Sequence, residues 1–132
     1  MQDLNRSQEA LHLWTKLEKM ASKLIVDKKS IKTDLENIDY VSAHSLIENH
    51  YFQHECFIDG DQRLTQLSKT ISKNCPVDII PGRYDLICPP ETAWALHKAI
   101  PHSALHFIEA AGHTAKEKET TRVLKRLLNL RA

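Results

Sequence analysis

Apolar residues return at intervals of three and four through the first half of the chain, then gather into short unbroken runs in the second. In "SQEALHLWTKLEKMASKLI", residues 7–25, the side chains of Leu13, Trp14, Leu17, Met20, Ala21, Leu24 and Ile25 share one helical stripe, and Ser7 stands where an N-cap belongs. Residues 42–57, "SAHSLIENHYFQHECF", predict a second helix rich in histidine and aromatic side chains. "DGDQRLTQLSKTISK" predicts a third, with Leu64, Leu67 and Ile71 on one side. No glycine occurs before Gly60.

Near Pro76 the pattern changes. "PVDII" is a short β-branched run stopped by "PG". "PPETAWALHKAI" predicts a helix, with proline at its start, Glu91 in its first turn, and Ala93, Leu96 and Ala99 on one face. "ALHFIE" predicts a second strand, closed by "AAGH". "EKETTRVLKRLLNL" predicts a last amphipathic helix with Val123, Leu124, Leu127 and Leu128 inward. The fold class expected is therefore α/β: a helical segment over 1–75, then β-α-β-α with a parallel sheet over 76–132.

Composition narrows the function classes. The chain has 132 residues, 42% hydrophobic and 27% charged, which suits one soluble globular unit. A net charge of +1 and the lack of like-charge runs argue against a nucleic-acid partner. No apolar stretch approaches the roughly 18 residues of a membrane helix. The polar start "MQDLNRSQEA" has no signal-peptide pattern. The three cysteines, Cys56, Cys75 and Cys88, are odd in number and make no CxxC spacing, so free thiols in a reducing cytoplasm are expected.

Both turns that follow the predicted strands carry a titratable side chain. Asp85 follows the first, in "PGRYDLICP", and His113 follows the second. In an open α/β sheet, chemistry gathers at the carboxyl ends of the strands. A carboxylate there can accept a hydrogen bond from an imidazole, fix its tautomer and stabilise the imidazolium when the histidine acts as a base. Asp before His is also the chain order of α/β-hydrolases after their serine. The plainer reading is an aspartate that caps a turn and a histidine in a loop. The spacing alone leaves both open.

The residues themselves add to this. "PGRYDLICPPETAWALHKAIPHSALHFIEAAGH" resembles the C-terminal end of prolyl iminopeptidases, serine peptidases that release an N-terminal proline. The matching positions are Gly82, Arg83, Tyr84, Asp85, Cys88, Pro89, Ala93, Trp94, Leu96, His97, Ala111, Gly112 and His113. "IENHYF" at 47–52 looks like the cap-domain motif of that family. "LWTKLEKMASKL" at 13–24 looks like its W-x-x-W-E-x-x-x-S-x-L element, with Leu17 in place of the second tryptophan. The resemblance implies a helical cap remnant over 1–75 and a C-terminal α/β-hydrolase piece over 76–132. It implies that Asp85 and His113 are the acid and base of a Ser-His-Asp triad. It further implies that Glu18 and Glu48 hold the free imino group of a peptide with N-terminal proline. A charged amine that leaves water needs a paired anion, because an unpaired buried charge is very costly. For Glu18 the plainer reading is a solvated residue on a helix face.

The chain also departs from the family pattern. A serine hydrolase of this fold needs a G-x-S-x-G elbow and an oxyanion-hole loop. The three glycines here, Gly60, Gly82 and Gly112, cannot write that elbow, and the serines sit in ordinary helix or turn contexts. The residues match the cap's end and the last strands and helices of the fold. Acid and base without the nucleophile are expected to be inactive alone. The alternatives are a non-catalytic remnant or interaction protein, and one half of a split hydrolase. A frameshifted or shortened product would also read this way. With the last two strands of the fold and no counterpart of the first five or so, the chain is expected to form a homo-oligomer or to bind a complementing N-terminal hydrolase chain.

No metal or cofactor is expected. His50 and His54 have the i, i+4 spacing of zinc ligands, but Cys56 would point roughly 200° around the helix from His54. Cys88 is followed by Pro89 and Pro90, which donate no N–H to a thiolate, so an inert buried thiol is expected. Trp94 and Leu96 are core candidates. Arg83 is expected to steady the loop of Asp85.

Overall fold

A computed structural model describes residues 2–130, with the side chains of residues 2–6 and of residue 68 left aside. The chain divides into two compact units: one holds residues 1–20 and 25–59, the other residues 21–24 and 60–132.

The first unit is helical. α1 spans Gln2–Ala21, α2 Lys28–Glu36 and α3 Ile38–Gln53, and a 3₁₀ turn follows at Glu55–Phe57. Residues 2–6 contain neither proline nor glycine, so the first helix starts well before Ser7, which lies inside it rather than at its cap. α2 has no counterpart in the sequence reading. Its start is nonetheless encoded by Asp27, whose carboxylate accepts from the Lys29 and Ser30 amides at 3.0 and 3.1 Å. Asn37 closes α2 and caps α3, accepting from Tyr40 N at 3.0 Å. The helix predicted to Phe57 stops at Gln53 because Glu55, Cys56 and Phe57 all adopt positive φ, near 51–58°. Left-handed backbone costs L-residues roughly 1–2 kcal/mol each. Aromatic packing offsets part of this, with His54 stacked on Phe57 at 4.9 Å and Tyr51 edge-on to it at 5.5 Å.

The core of this unit is not the predicted stripe. Leu13 and Leu17 are exposed, the latter by 66%. The buried face of α1 centres on Thr15, which is fully buried with Ser45 of α3. Their hydroxyls share a hydrogen bond of 2.8 Å, and Ser45 Oγ also donates to Leu11 O at 2.9 Å. Small polar residues let these helix backbones approach closely. Ile31 and Val41 supply the buried apolar contacts. Beside them Lys19 pairs with Asp34 at 3.0 Å and lies over the Tyr40 ring. Burial works against the Lys19 ammonium, but hydrogen bonds to Tyr40 and Asp34 outweigh it and raise its pKa.

The second unit carries the sheet. Its elements are α4 (Gly60–Thr70), β1 (Asp78–Ile79), α5 (Pro90–Ala99), β2 (Ala104–Leu105) and α6 (Lys118–Asn129). β1 and β2 pair in parallel, Asp78 opposite Ala104 and Ile79 opposite Leu105. The ladder continues beyond the named strands through Ile108 N to Pro81 O at 2.9 Å and a bridge between Gly82 and Ile108. The architecture is thus mixed: helices with a small two-stranded parallel sheet, compatible with a fragment of an α/β-hydrolase. Ile108, Ala111 and Val123 form the apolar core, with Ile80 and Leu127 against it.

Several expectations change here. Leu128 faces outward, so the inward stripe of α6 is narrower than predicted. Trp94 is 51% exposed, its ring tilted 45° to that of His97 at 5.6 Å, so it is not a core residue. Leu96 is half-buried. Cys88 is exposed, not buried.

Candidate active site

Asp85 and His113 owe their placement to two loops held together by backbone. Past β1, Arg83 N donates to Ile108 O at 2.9 Å and Tyr84 N to Ala111 O at 3.0 Å. The loop after β1 is thereby fastened to the loop after β2. Gly82 makes the approach possible, since a Cβ there would collide with the carbonyl oxygens of Ala111 and Gly112. Arg83 adds a side-chain tie. It reaches Glu109 at 2.7 Å and lies over the Phe107 ring at 4.3 Å. The hydrogen bond to Glu109 raises the Arg83 pKa, and the same bond lowers that of Glu109.

The Asp85 carboxylate divides its two oxygens. Oδ1 accepts from Ile87 N at 2.9 Å and Cys88 N at 2.8 Å, which makes a tight Asx-type turn into α5. Oδ2 lies 2.9 Å from His113 Nδ1. Asp85 therefore caps a turn and at the same time accepts a hydrogen bond from an imidazole. A carboxylate oxygen only accepts, so Nδ1 carries the hydrogen of this bond. In the neutral ring Nε2 is then the acceptor. Asp85 is 8% exposed, while the His113 side chain is over a third exposed. The buried carboxylate is thus shielded, and the imidazole meets solvent.

The pair opens on a cleft of about 400 Å³ walled by Ile80, Pro81, Thr92, Ala93 and Leu96. That volume falls in the range of small-molecule sites. Cys88 lines the same cleft. Its exposure follows from the Asx turn, which commits its amide to Asp85 and leaves the side chain at the cleft's lip.

No family model matches the chain. A probable proline iminopeptidase of Leptolyngbya boryana is 39% identical over 108 residues, which is 82% of this chain and 33% of the relative. The proline iminopeptidase of Xylella fastidiosa is 37% identical over 110 residues, covering 83% of this chain and 34% of the relative. That of Arabidopsis thaliana is 36% identical over 115 residues, 87% and 30% respectively. The chain resembles a portion of the proline iminopeptidases. It spans about a third of the length of the curated relatives it matches.

The two carboxylates that the proline iminopeptidase resemblance assigns to the substrate lie in the helical unit. Glu48 is on α3, where its Oε2 accepts from Trp14 Nε1 at 2.8 Å and lies 3.4 Å from His44 Nδ1. Glu18 is half-buried on α1, one turn beyond Trp14. Trp14, matched to the first tryptophan of the cap element, thus orients Glu48 directly, a role the sequence reading had not given it. The His50 and His54 rings lie 4.6 Å apart, tilted by 48°, with Phe57 beside both. Among the described residues no group of three or more His, Cys, Asp or Glu side chains is arranged to hold a metal ion. No helix among them is long and apolar enough to cross a membrane.

Three contacts were invisible to the sequence reading. A second carboxylate–imidazole pair, Asp78 with His106 at 2.9 Å, ties β1 to β2. The strand register signals it, because His106 lies two residues past the partner of Asp78. Glu117 reaches back to Gly112 N at 2.6 Å and to Leu24 N at 2.8 Å. Only the fold brings those groups together.

Proposed function

We propose that residues 76–132 are the C-terminal part of an α/β-hydrolase sheet and residues 1–75 a helical cap-like segment. In this reading Asp85 and His113 are acid and base of a Ser-His-Asp triad whose serine is not among these 132 residues. The observation that carries it is the 2.9 Å bond between His113 Nδ1 and Asp85 Oδ2 just past two parallel strands. His113 Nε2 takes the proton of a serine hydroxyl as it attacks, and Asp85 stabilises the imidazolium that forms. The substrate class is peptides with N-terminal proline, their imino group held by Glu48 and Glu18. Three exposed cysteines that form no disulfide suit a reducing cytoplasm.

The missing G-x-S-x-G favours a second reading, in which the chain is half of a split hydrolase. A base without a nucleophile forms no acyl-enzyme. The purified chain is therefore expected not to release naphthylamine from proline-β-naphthylamide. Adding a polypeptide with the N-terminal two-thirds of a proline iminopeptidase is expected to restore turnover, and His113→Ala to abolish it. Turnover by the chain alone that disappears in His113→Ala would overturn the first expectation. Failure of every complement would favour a non-catalytic interaction protein.

A further inference from the structure

We infer that Glu117 is a positioning residue for His113, an inference that rests on the acid–base reading of Asp85 and His113. Glu117 immediately precedes α6, at the N-cap position. A side chain there ordinarily accepts from the amides of its own helix. Glu117 makes no such bond. Its carboxylate turns the other way, Oε2 accepting from Gly112 N at 2.6 Å and Oε1 from Leu24 N at 2.8 Å. One anion thus joins the residue before His113 to a strap, residues 21–24, that is remote in sequence. Hydrogen bonds to an ionised acceptor are about twice as strong as neutral ones.

The strap returns the contact. Ser22 O accepts from both His113 N at 3.0 Å and Thr114 N at 2.9 Å. Three successive amides, those of Gly112, His113 and Thr114, are therefore committed to Glu117 or to the strap that Glu117 holds. Gly112 is the contact point, for a Cβ there would meet Leu24 N at 2.9 Å and Lys23 C at 3.1 Å. On its other side the loop is fixed to the Asp85 loop through Ala111 O and Tyr84 N at 3.0 Å. His113 is held between the two. An imidazole whose Nδ1 must stay within hydrogen-bond reach of Asp85 needs a backbone that does not drift by an ångström. Glu117 supplies that restraint while touching neither imidazole nor substrate.

The test uses nitrogen-15 labelled full chain and proton–nitrogen NMR. In the parent protein the proton of His113 Nδ1, shared with Asp85, gives a downfield resonance that Asp85→Asn removes. Glu117→Ala is expected to remove or broaden that resonance, although it leaves Asp85 and His113 in place. Exchange of the Gly112 and Leu24 amide protons should quicken by about tenfold, the factor for a hydrogen bond of ordinary net strength. The Ser45 amide in the helical unit should keep its rate. Glu117→Gln, with one acceptor oxygen in place of two, should keep one of the two amides protected. It decides the matter if the alanine variant does not fold. An unchanged His113 resonance in Glu117→Ala, or in Glu117→Gln where that variant decides, would overturn the inference. A parent protein without the resonance, or an Asp85→Asn variant that keeps it, would instead sink the acid–base reading.

Discussion

Gly82 sits where the Asp85 loop meets the His113 loop, and what matters there is the absence of a Cβ. Its φ is not positive, so any residue could take its backbone conformation. What none other could do is share the space with Ala111 O, which an added Cβ would meet at 2.6 Å. The neighbours are backbone and cannot swing aside. Gly82→Ala should therefore destabilise the second unit by roughly 1–3 kcal/mol, as overpacking in a closed site does. It should also part Asp85 from His113. Urea unfolding would measure the first effect, and loss of the shared-proton resonance the second. A fully stable variant that keeps the resonance would mean that the loops can separate without consequence.

At the scale of elements, α1 and α3 meet through hydroxyls rather than through the leucines of the amphipathic stripe. Thr15 and Ser45 are both fully buried. Each has its partner, and Ser45 has the Leu11 carbonyl as well. Ser45→Ala leaves the Thr15 hydroxyl buried without its partner, at an expected cost of about 1–3 kcal/mol. Pairing it with Thr15→Val removes both polar groups and should recover much of that loss. Chemical denaturation of the single and double variants would show this as strong non-additivity. Additive losses would mean that the hydroxyl pair contributes only packing.

At the scale of the whole molecule, many large apolar side chains stay in contact with solvent. Leu13, Leu17 and Met20 of α1, and Leu46 and Ile47 of α3, are all exposed. Each strand of the two-stranded sheet has one partner among the described residues. Two strands are marginal in water, and open edges with uncovered apolar surface invite association. The chain is accordingly expected to self-associate, most simply as a two-fold dimer. Sedimentation equilibrium over a wide concentration range checks this. A cooperatively folding monomer at high concentration would show that the helices protect the sheet well enough.

The parallel β-α-β order was legible because prolines, glycine and β-branched runs act locally. "PVDII", "PG" and "PPETAW" mark strand, turn and helix start within a few residues of where they fall. That Asp85 and His113 lie in the loops after the two strands was legible for the same reason. The helix predicted to Ile25 ends instead at Ala21, because Ser22 O and Leu24 N are taken by His113, Thr114 and Glu117. Helical periodicity continues through those residues, and nothing local announces that their backbone groups will bond elsewhere. The same holds for the buried face of α1. Hydrophobic spacing points to Leu13 and Leu17, while the close approach to α3 selects Thr15. Sequence alone determined which residues could form elements and which chemistry each turn carries. Tertiary structure decided which face is buried, where the helix stops, and which groups hold the imidazole, because those outcomes depend on partners up to 93 residues away.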